Sequence, residues 1–172
     1  MHTPSSMSAL VLVNSANRRL GTDSLADLAG AQEFLAYPAL TTHEWTVLRR
    51  VRARMSEVFT EAANAHHQRA LSALNHLLMM HATRPHFTGA PARLSVAANT
   101  GGYVLDWLSQ AVVGLALVVD QRGLGCLGVC AALGCQQCFI DTSPRGDRRY
   151  CSRQCAARTD TARHRARRSV SA

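Results

Sequence analysis

The chain has 172 residues, 47% apolar content and a net charge of +8, with nineteen arginines, no lysine and eleven acids. Its longest apolar run, AVVGLALVV, has nine residues, far short of the ~20 that span a bilayer, so no membrane helix is expected. The opening MHTPSSMSALVLVNSANRR has no basic residue ahead of a short apolar block and does not fit a secretory leader, so the expected location is the cytoplasm.

In chain order, residues 8–16, SALVLVNSA, read as a short buried strand. A helix follows over TDSLADLAGAQEFLAYP, with Ser24 three residues before Asp27 as a capping box, Leu25, Leu28, Phe34 and Leu35 on one face, and Pro38 as the stop. Thr41 with Glu44 opens a longer helix, in which Trp45, Leu48, Val51, Met55, Val58, Phe59 and Ala62 recur at three and four spacing. Leu71, Leu74, Leu77 and Leu78 repeat the pattern as a third helix or a continuation. Two short strands around the TGAPA turn are expected between Pro85 and Gly102. Tyr103 to Val119 then reads as an apolar helix with Leu105, Leu108, Val112 and Leu115 facing in, and DQRGLG, residues 120–125, as a joint. The fold class is mostly α with a small β component, in two unequal units, 1–120 and 121–172. His66, His67, His76 and His81 are read as solvated or singly satisfied side chains; His76 and His81, five apart, do not share a helix face.

Charge divides at the same joint: residues 1–120 carry nine arginines against eight acids, residues 121–172 ten against three. A net +7 on fifty-two residues is the electrostatic footprint of a surface that meets polyanions. All six cysteines, Cys126, Cys130, Cys135, Cys138, Cys151 and Cys155, fall in the same region. In a reducing compartment such clustering points to metal rather than disulfides. Zinc takes four thiolates from two short knuckles. Cys151 and Cys155 form the second knuckle. The first is either Cys135 with Cys138 or Cys130 with Cys135, and generic spacing favours the tighter pair.

The string CAALGCQQCFIDTSPRGDRRYCSRQCAARTDTARHRARR resembles the C-terminal module of the bacterial CGNR zinc-finger family, whose pattern runs C-x(4)-C-G-x-x-F-x-D-T-S, an arginine-rich turn, R-R-W-C-S, a knuckle ending C-G-N-R and a basic helix. The resemblance implies a treble-like module with structural zinc on Cys130, Cys135, Cys151 and Cys155, leaving Cys138 at an apolar position beside Phe139 and Cys126 as a small buried thiol. The chain departs from the pattern in a shorter second knuckle, in Tyr150 for tryptophan and in Ala156-Ala157 for Gly-Asn. Without that glycine the knuckle turns differently or starts its helix sooner. LVLVNSANRR and the helices after it resemble the family's N-terminal, ABATE-type region, linked broadly to stress-induced regulators.

Asp141-Thr142-Ser143 reads first as a turn whose side chains cap backbone N–H groups. Arg145, Arg148 and Arg149 leave that turn. In the tail helix Arg158, Arg165 and Arg168 lie along one side, with Arg163 and Arg167 near the opposite side. These eight arginines are the candidate nucleic-acid contacts. The expected function is a transcription regulator that binds DNA through the zinc module, with the helical unit sensing a small-molecule effector or forming a homodimer. The alternatives are a zinc-stapled module for protein or RNA and a thiol switch at Cys135 and Cys138. No nucleophile with an adjacent base, paired carboxylates or open three-ligand zinc pattern stands in the sequence, so no enzyme is expected.

Overall fold

The computed structural model describes residues 4–81, 83–88, 93–98 and 102–170. Six helices and three two-stranded antiparallel sheets follow one another: α1 (Pro4–Val13), β1 (Ala16–Asn17), β2 (Thr22–Asp23), α2 (Leu28–Leu35), α3 (Thr42–Ala63), α4 (His67–Met80), β3 (Thr83–Thr88), β4 (Arg93–Ala98), α5 (Tyr103–Arg122), β5 (Leu127–Val129), β6 (Cys138–Ile140) and α6 (Arg153–Val170). The mostly helical class with a minor β part is what the sequence implies.

Residues 4–13 are a helix, not the expected strand. A short apolar run fits a buried helix and a buried strand equally well. Here Pro4 occupies the first helical position, where its fixed φ and missing N–H cost nothing. Ala9, Leu12 and Val13 are buried in the main core, and the helix packs on α5 and α3. The start of α2 also moves. Asp27, not Ser24, is the N-cap, its carboxylate accepting from the Gly30 N–H at 2.8 Å. The turn ahead of it is held by Asp23, which accepts from the Leu25 N–H at 2.8 Å and keeps those residues out of the helix.

The long helix α3 begins at the capping box read from the sequence. Thr41 Oγ1 accepts from the Glu44 N–H at 3.2 Å, and the Glu44 carboxylate accepts from the Thr41 N–H at 2.9 Å. Leu48, Val51, Met55, Val58, Phe59 and Ala62 form its buried stripe. A turn with Ala65 at φ +60° separates it from α4, so the third leucine run is a helix of its own. It buries Ala70, Ala73, Leu74 and Leu77, while Leu71 is exposed. The expected hairpin is present, with Thr83 opposite Ala98 and Thr88 opposite Arg93; most of the TGAPA turn lies outside the described residues.

Helix α5 is the spine of the core. By length and composition alone it could cross a membrane. In this fold Val104, Leu108, Ala111, Val112, Leu115 and Val118 are buried, and the helix packs against α1, α3 and α4. The chain continues through a 3-10 turn, Leu124–Cys126, into β5. Leu124, Cys126, Leu127, Cys138 and Ile140 belong to the same apolar cluster as the helices, so the core runs across the joint.

One ion pair ties the first small sheet to α3. Arg52 donates to both carboxylate oxygens of Asp23, with Nη2 at 2.9 Å from Oδ2, and to Ser15 Oγ at 3.0 Å. The Arg52 hydrogen bond is the main reason the Asp23 carboxyl sits below its ordinary range, against the opposing pull of burial. A carboxyl with a lowered folded pKa stabilises the fold above its unfolded pKa, and the contribution is lost as pH falls through the folded value. Asp23→Asn is therefore expected to lower the urea midpoint at pH 7 and to differ much less from wild type at pH 3.

Candidate metal centre and nucleic-acid face

The second part of the molecule is a hairpin, a loop and a helix around a separate small cluster of Cys130, Ala132, Cys135 and Cys155, with Tyr150 and Cys151 packed against it. The first knuckle leaves β5 at Cys130 and turns through Gly134, φ +74°. Its shape is fixed by Cys135 N–H donating to the Ala132 carbonyl at 3.0 Å and Cys130 N–H to that of Gln137 at 2.9 Å. The second knuckle is the first turn of α6. Ser152 Oγ accepts from the Cys155 N–H at 3.2 Å as an N-terminal cap, so the helix starts ahead of Cys155 and carries Ala156 and Ala157 inside it. Ala156 and Ala157 thus continue the helix instead of forming a turn after the ligand.

The Sγ atoms of Cys130, Cys135, Cys151 and Cys155 lie within 4.8 Å of one another. The pairs Cys135–Cys151, Cys151–Cys155 and Cys155–Cys135 are each 3.7 Å apart. A tetrahedral zinc with Zn–S near 2.3 Å implies sulfur–sulfur edges of about 3.8 Å, whereas a disulfide needs about 2.05 Å. Donor set and edge length both fit zinc. The tighter Cys135–Cys138 pair favoured by generic spacing is divided between two clusters, with Cys138 in the core of the helical body and its thiol pushed up to about 12 by burial.

The four thiols are electrostatically unequal. The Ser152 hydroxyl, aided by the neighbouring thiols, brings Cys155 down to about 7 against the effect of burial. Burial, then the adjoining thiols, drives Cys151 up, and burial raises Cys135. Arg158 lies beside Cys155: its Nη2 is 3.8 Å from Cys155 Sγ and 3.5 Å from the Leu133 carbonyl, linking the two knuckles. These two contacts leave Arg158 half-buried against the knuckles rather than fully exposed on the helix.

The loop between the knuckles is closed by Asp141, which is 5% exposed. Its carboxylate accepts from the Ser143 and Arg148 N–H groups, each at 2.8 Å. Burial pushes this carboxyl up, but those amides and the Ser143 hydroxyl outweigh it and hold it below its usual range. Arg148 donates through Nε to the Tyr150 carbonyl at 2.8 Å and through Nη2 to that of Cys151, while its guanidinium lies 5.3 Å from the Phe139 ring. It thus braces the second knuckle. Arg145 and Arg149 are exposed on the loop, Arg163, Arg165 and Arg167 are exposed on α6, and Arg168 lies near the end of that helix.

Docking to the helical body depends on residues that the sequence reading does not single out. The Asn14 side chain pairs with the Cys138 backbone as a strand would, donating to its carbonyl at 2.9 Å and accepting from its N–H at 2.8 Å. Gln137 Nε2 donates to the Ala16 carbonyl at 3.0 Å. The signal was local for Ser152, three residues before Cys155. For Asn14 it lay 124 residues away. Among the described residues no histidine joins a metal-holding cluster; His66 pairs with Glu61 at 2.8 Å.

A helical body joined to a four-cysteine module with a hairpin and a terminal helix defines a two-part zinc-finger protein. Residues 127–168 match the family model of the CGNR zinc finger, and residues 8–119 match the ABATE model, described as "Putative stress-induced transcription regulator". The chain belongs to that ABATE family and carries its CGNR finger. No curated protein matches the chain.

Proposed function

We propose that this chain is a transcription regulator that grips duplex DNA with α6 and the exposed arginines of the finger loop, on a module held together by structural zinc at Cys130, Cys135, Cys151 and Cys155. The observation that carries the reading is the state of α6: residues 160–167 are exposed on every side of the helix and include Arg163, Arg165 and Arg167. A helix without a buried face gains nothing from a core. One that is cationic all round gains by lying between two phosphate strands, and the major groove, about 12 Å wide, admits it. The thiol cluster at its first turn gives that helix a rigid base. The family description supports the regulatory role, and the helical body is the unit through which regulation would act.

Salt-titrated binding to duplex DNA, RNA and an acidic protein tests the reading. Each neutralised phosphate contributes about 0.9 to the log–log salt slope, so the four outer tail arginines with Arg145 and Arg149 of the loop give a slope of about −5 on duplex DNA. Arg163→Ala with Arg165→Ala is expected to flatten it by about 2. Arg158→Ala, at a half-buried residue, should leave the slope nearly unchanged. Salt-independent binding, or preference for RNA or the acidic protein, would overturn the proposal.

A further inference from the structure

On the finger surface a cavity of about 420 Å³ is lined by Arg148, Arg149, Tyr150, Ser152, Arg153 and Ala156. Its size is within the roughly 300–1,000 Å³ of small-molecule sites. Half of the lining is arginine, and neither an acid nor a cysteine belongs to it. Asp147, the nearest acid along the chain, is exposed and stands outside the lining. Arg153 is not one of the eight arginines that the sequence singles out as nucleic-acid contacts.

The charge at this cavity has to be counted together with the thiolates behind it. Zinc on four thiolates carries about −2 in total. Two arginines are already engaged at the knuckles: Arg148 donates to the Tyr150 and Cys151 carbonyls, and Arg158 Nη2 lies 3.8 Å from Cys155 Sγ. Arg149 and Arg153 are exposed, and among the described residues neither guanidinium has a hydrogen bond or an ion pair. The positive charge of these two is therefore left for a ligand. Both stand at fixed points of the module. The Arg149 carbonyl accepts from the Ala131 N–H at 2.9 Å, which ties it to the first knuckle, and Arg153 is the first residue of α6.

Two guanidiniums on one cavity select the shape of the anion. A carboxylate has both oxygens in one plane and is satisfied by a single arginine fork. The two non-bridging oxygens of a phosphodiester point away from each other across a tetrahedron, so each can take its own arginine. Tyr150 and Ala156 add apolar wall that a bare phosphate would leave uncovered and that a deoxyribose would cover. We infer that this cavity seats one sugar–phosphate unit of a DNA strand, with Arg149 and Arg153 sharing its phosphate and Tyr150 against its sugar. The inference rests on the proposed DNA-binding role and adds a fixed point of entry for α6. Phosphate contacts set register on a duplex, and this one lies at the first residue of the helix, on the zinc module, whereas Arg163 and Arg165 lie further along it.

The test has two arms on the zinc-loaded full chain. In the first, NMR follows titration with a thymidine dinucleotide, which has one phosphodiester; its neutral methylphosphonate analogue and inorganic phosphate are the controls. A saturable response at Tyr150 and Ala156 is expected. It should be about tenfold weaker for the methylphosphonate and about tenfold weaker in Arg153→Ala, as the loss of a charge-assisted hydrogen bond implies, and weaker for inorganic phosphate, which lacks the sugar. In the second arm, duplex DNA binding is titrated with salt. Because the two arginines share one phosphate, Arg149→Ala with Arg153→Ala should flatten the log–log slope by about 0.9, where two separate contacts would give about 1.8. A flat dinucleotide titration, an equal response to either control, or a slope change near 1.8 would overturn the assignment. A slope that Arg163→Ala with Arg165→Ala flattens, but that the Arg149 and Arg153 double variant leaves unchanged, sinks the cavity and keeps the DNA reading. A dinucleotide response without duplex binding does the reverse, keeping the cavity as a site for single strands.

Discussion

Cys135→Ser is expected to abolish stoichiometric zinc binding and to unfold the finger from Cys130 to the end of α6, whereas Cys138→Ser keeps the metal. The two positions are three residues apart in sequence and in different environments. Cys135 Sγ is 3.7 Å from both Cys151 and Cys155; Cys138 packs with Ile140 in the core of the helical body. Without a metal, the finger's own cluster is a few small side chains and one half-buried tyrosine, too little apolar surface to order the segment. Metal binding in comparable four-ligand modules is worth about 10–16 kcal/mol near neutral pH, nearly all of it folding free energy. Losing one thiolate therefore removes the finger's fold as well as its ion. Cys138→Ser buries a hydroxyl and costs about 1–3 kcal/mol, a general destabilisation with zinc retained. Elemental analysis together with amide NMR of the two variants and of chelator-treated wild type separates these outcomes. Reduced wild-type protein without stoichiometric metal, and with a chelator-insensitive fold, would remove the basis of the zinc reading.

What could be read from the sequence was what rests on neighbouring residues. Thr41 and Glu44 cap each other across three positions, and the stripe from Leu48 to Ala62 stays on one face whatever packs against it, so α3 was legible with its boundary. The knuckle cysteines and the Asp141 turn are local in the same sense. α1 was not, because ALVLV suits either period, and only burial against α5, far along the chain, decides for the helix. The start of α2 was obscured because Ser24, which with Asp27 reads as a capping box, lies in a turn held by Asp23, and Asp23 is itself engaged by Arg52 from another helix. Within the finger the arginines look alike as letters. Distances divide them: Arg148 braces carbonyls, Arg158 lies beside a thiol, and Arg163 and Arg165 are exposed. Which cysteine joins Cys135 in the first knuckle likewise depended on the hairpin that sends Cys138 into the core.

Gly128→Ala is expected to be the most damaging single methyl that can be added to the hairpin. Gly128 stands directly opposite Phe139 in the β5–β6 pairing, and a Cβ there would lie 2.5 Å from the ring's Cζ and 2.9 Å from Cε1 and Cε2. The ring cannot withdraw cheaply. It is only 6% exposed, and beyond it lies the Arg148 guanidinium, which holds the carbonyls of Tyr150 and Cys151. Displacing the phenyl group therefore moves the arginine and, through it, the second knuckle. Overpacking usually costs about 1–3 kcal/mol, and a rigid ring that is fixed from behind places this case near the top of that range. For a chain of this size, about 3 kcal/mol corresponds to a fall of roughly 6–12 °C in Tm. Gly125→Ala, where the same methyl meets nothing within 4 Å, should cause almost no change. Combining Gly128→Ala with Phe139→Leu should cost less than the two changes summed, since the smaller side chain relieves the clash, and a double-mutant cycle would read that coupling directly. Additive costs, or a Gly128→Ala variant that melts with wild type, would mean that the ring is not clamped between glycine and arginine and that Arg148 does not carry strain from the hairpin to the thiols.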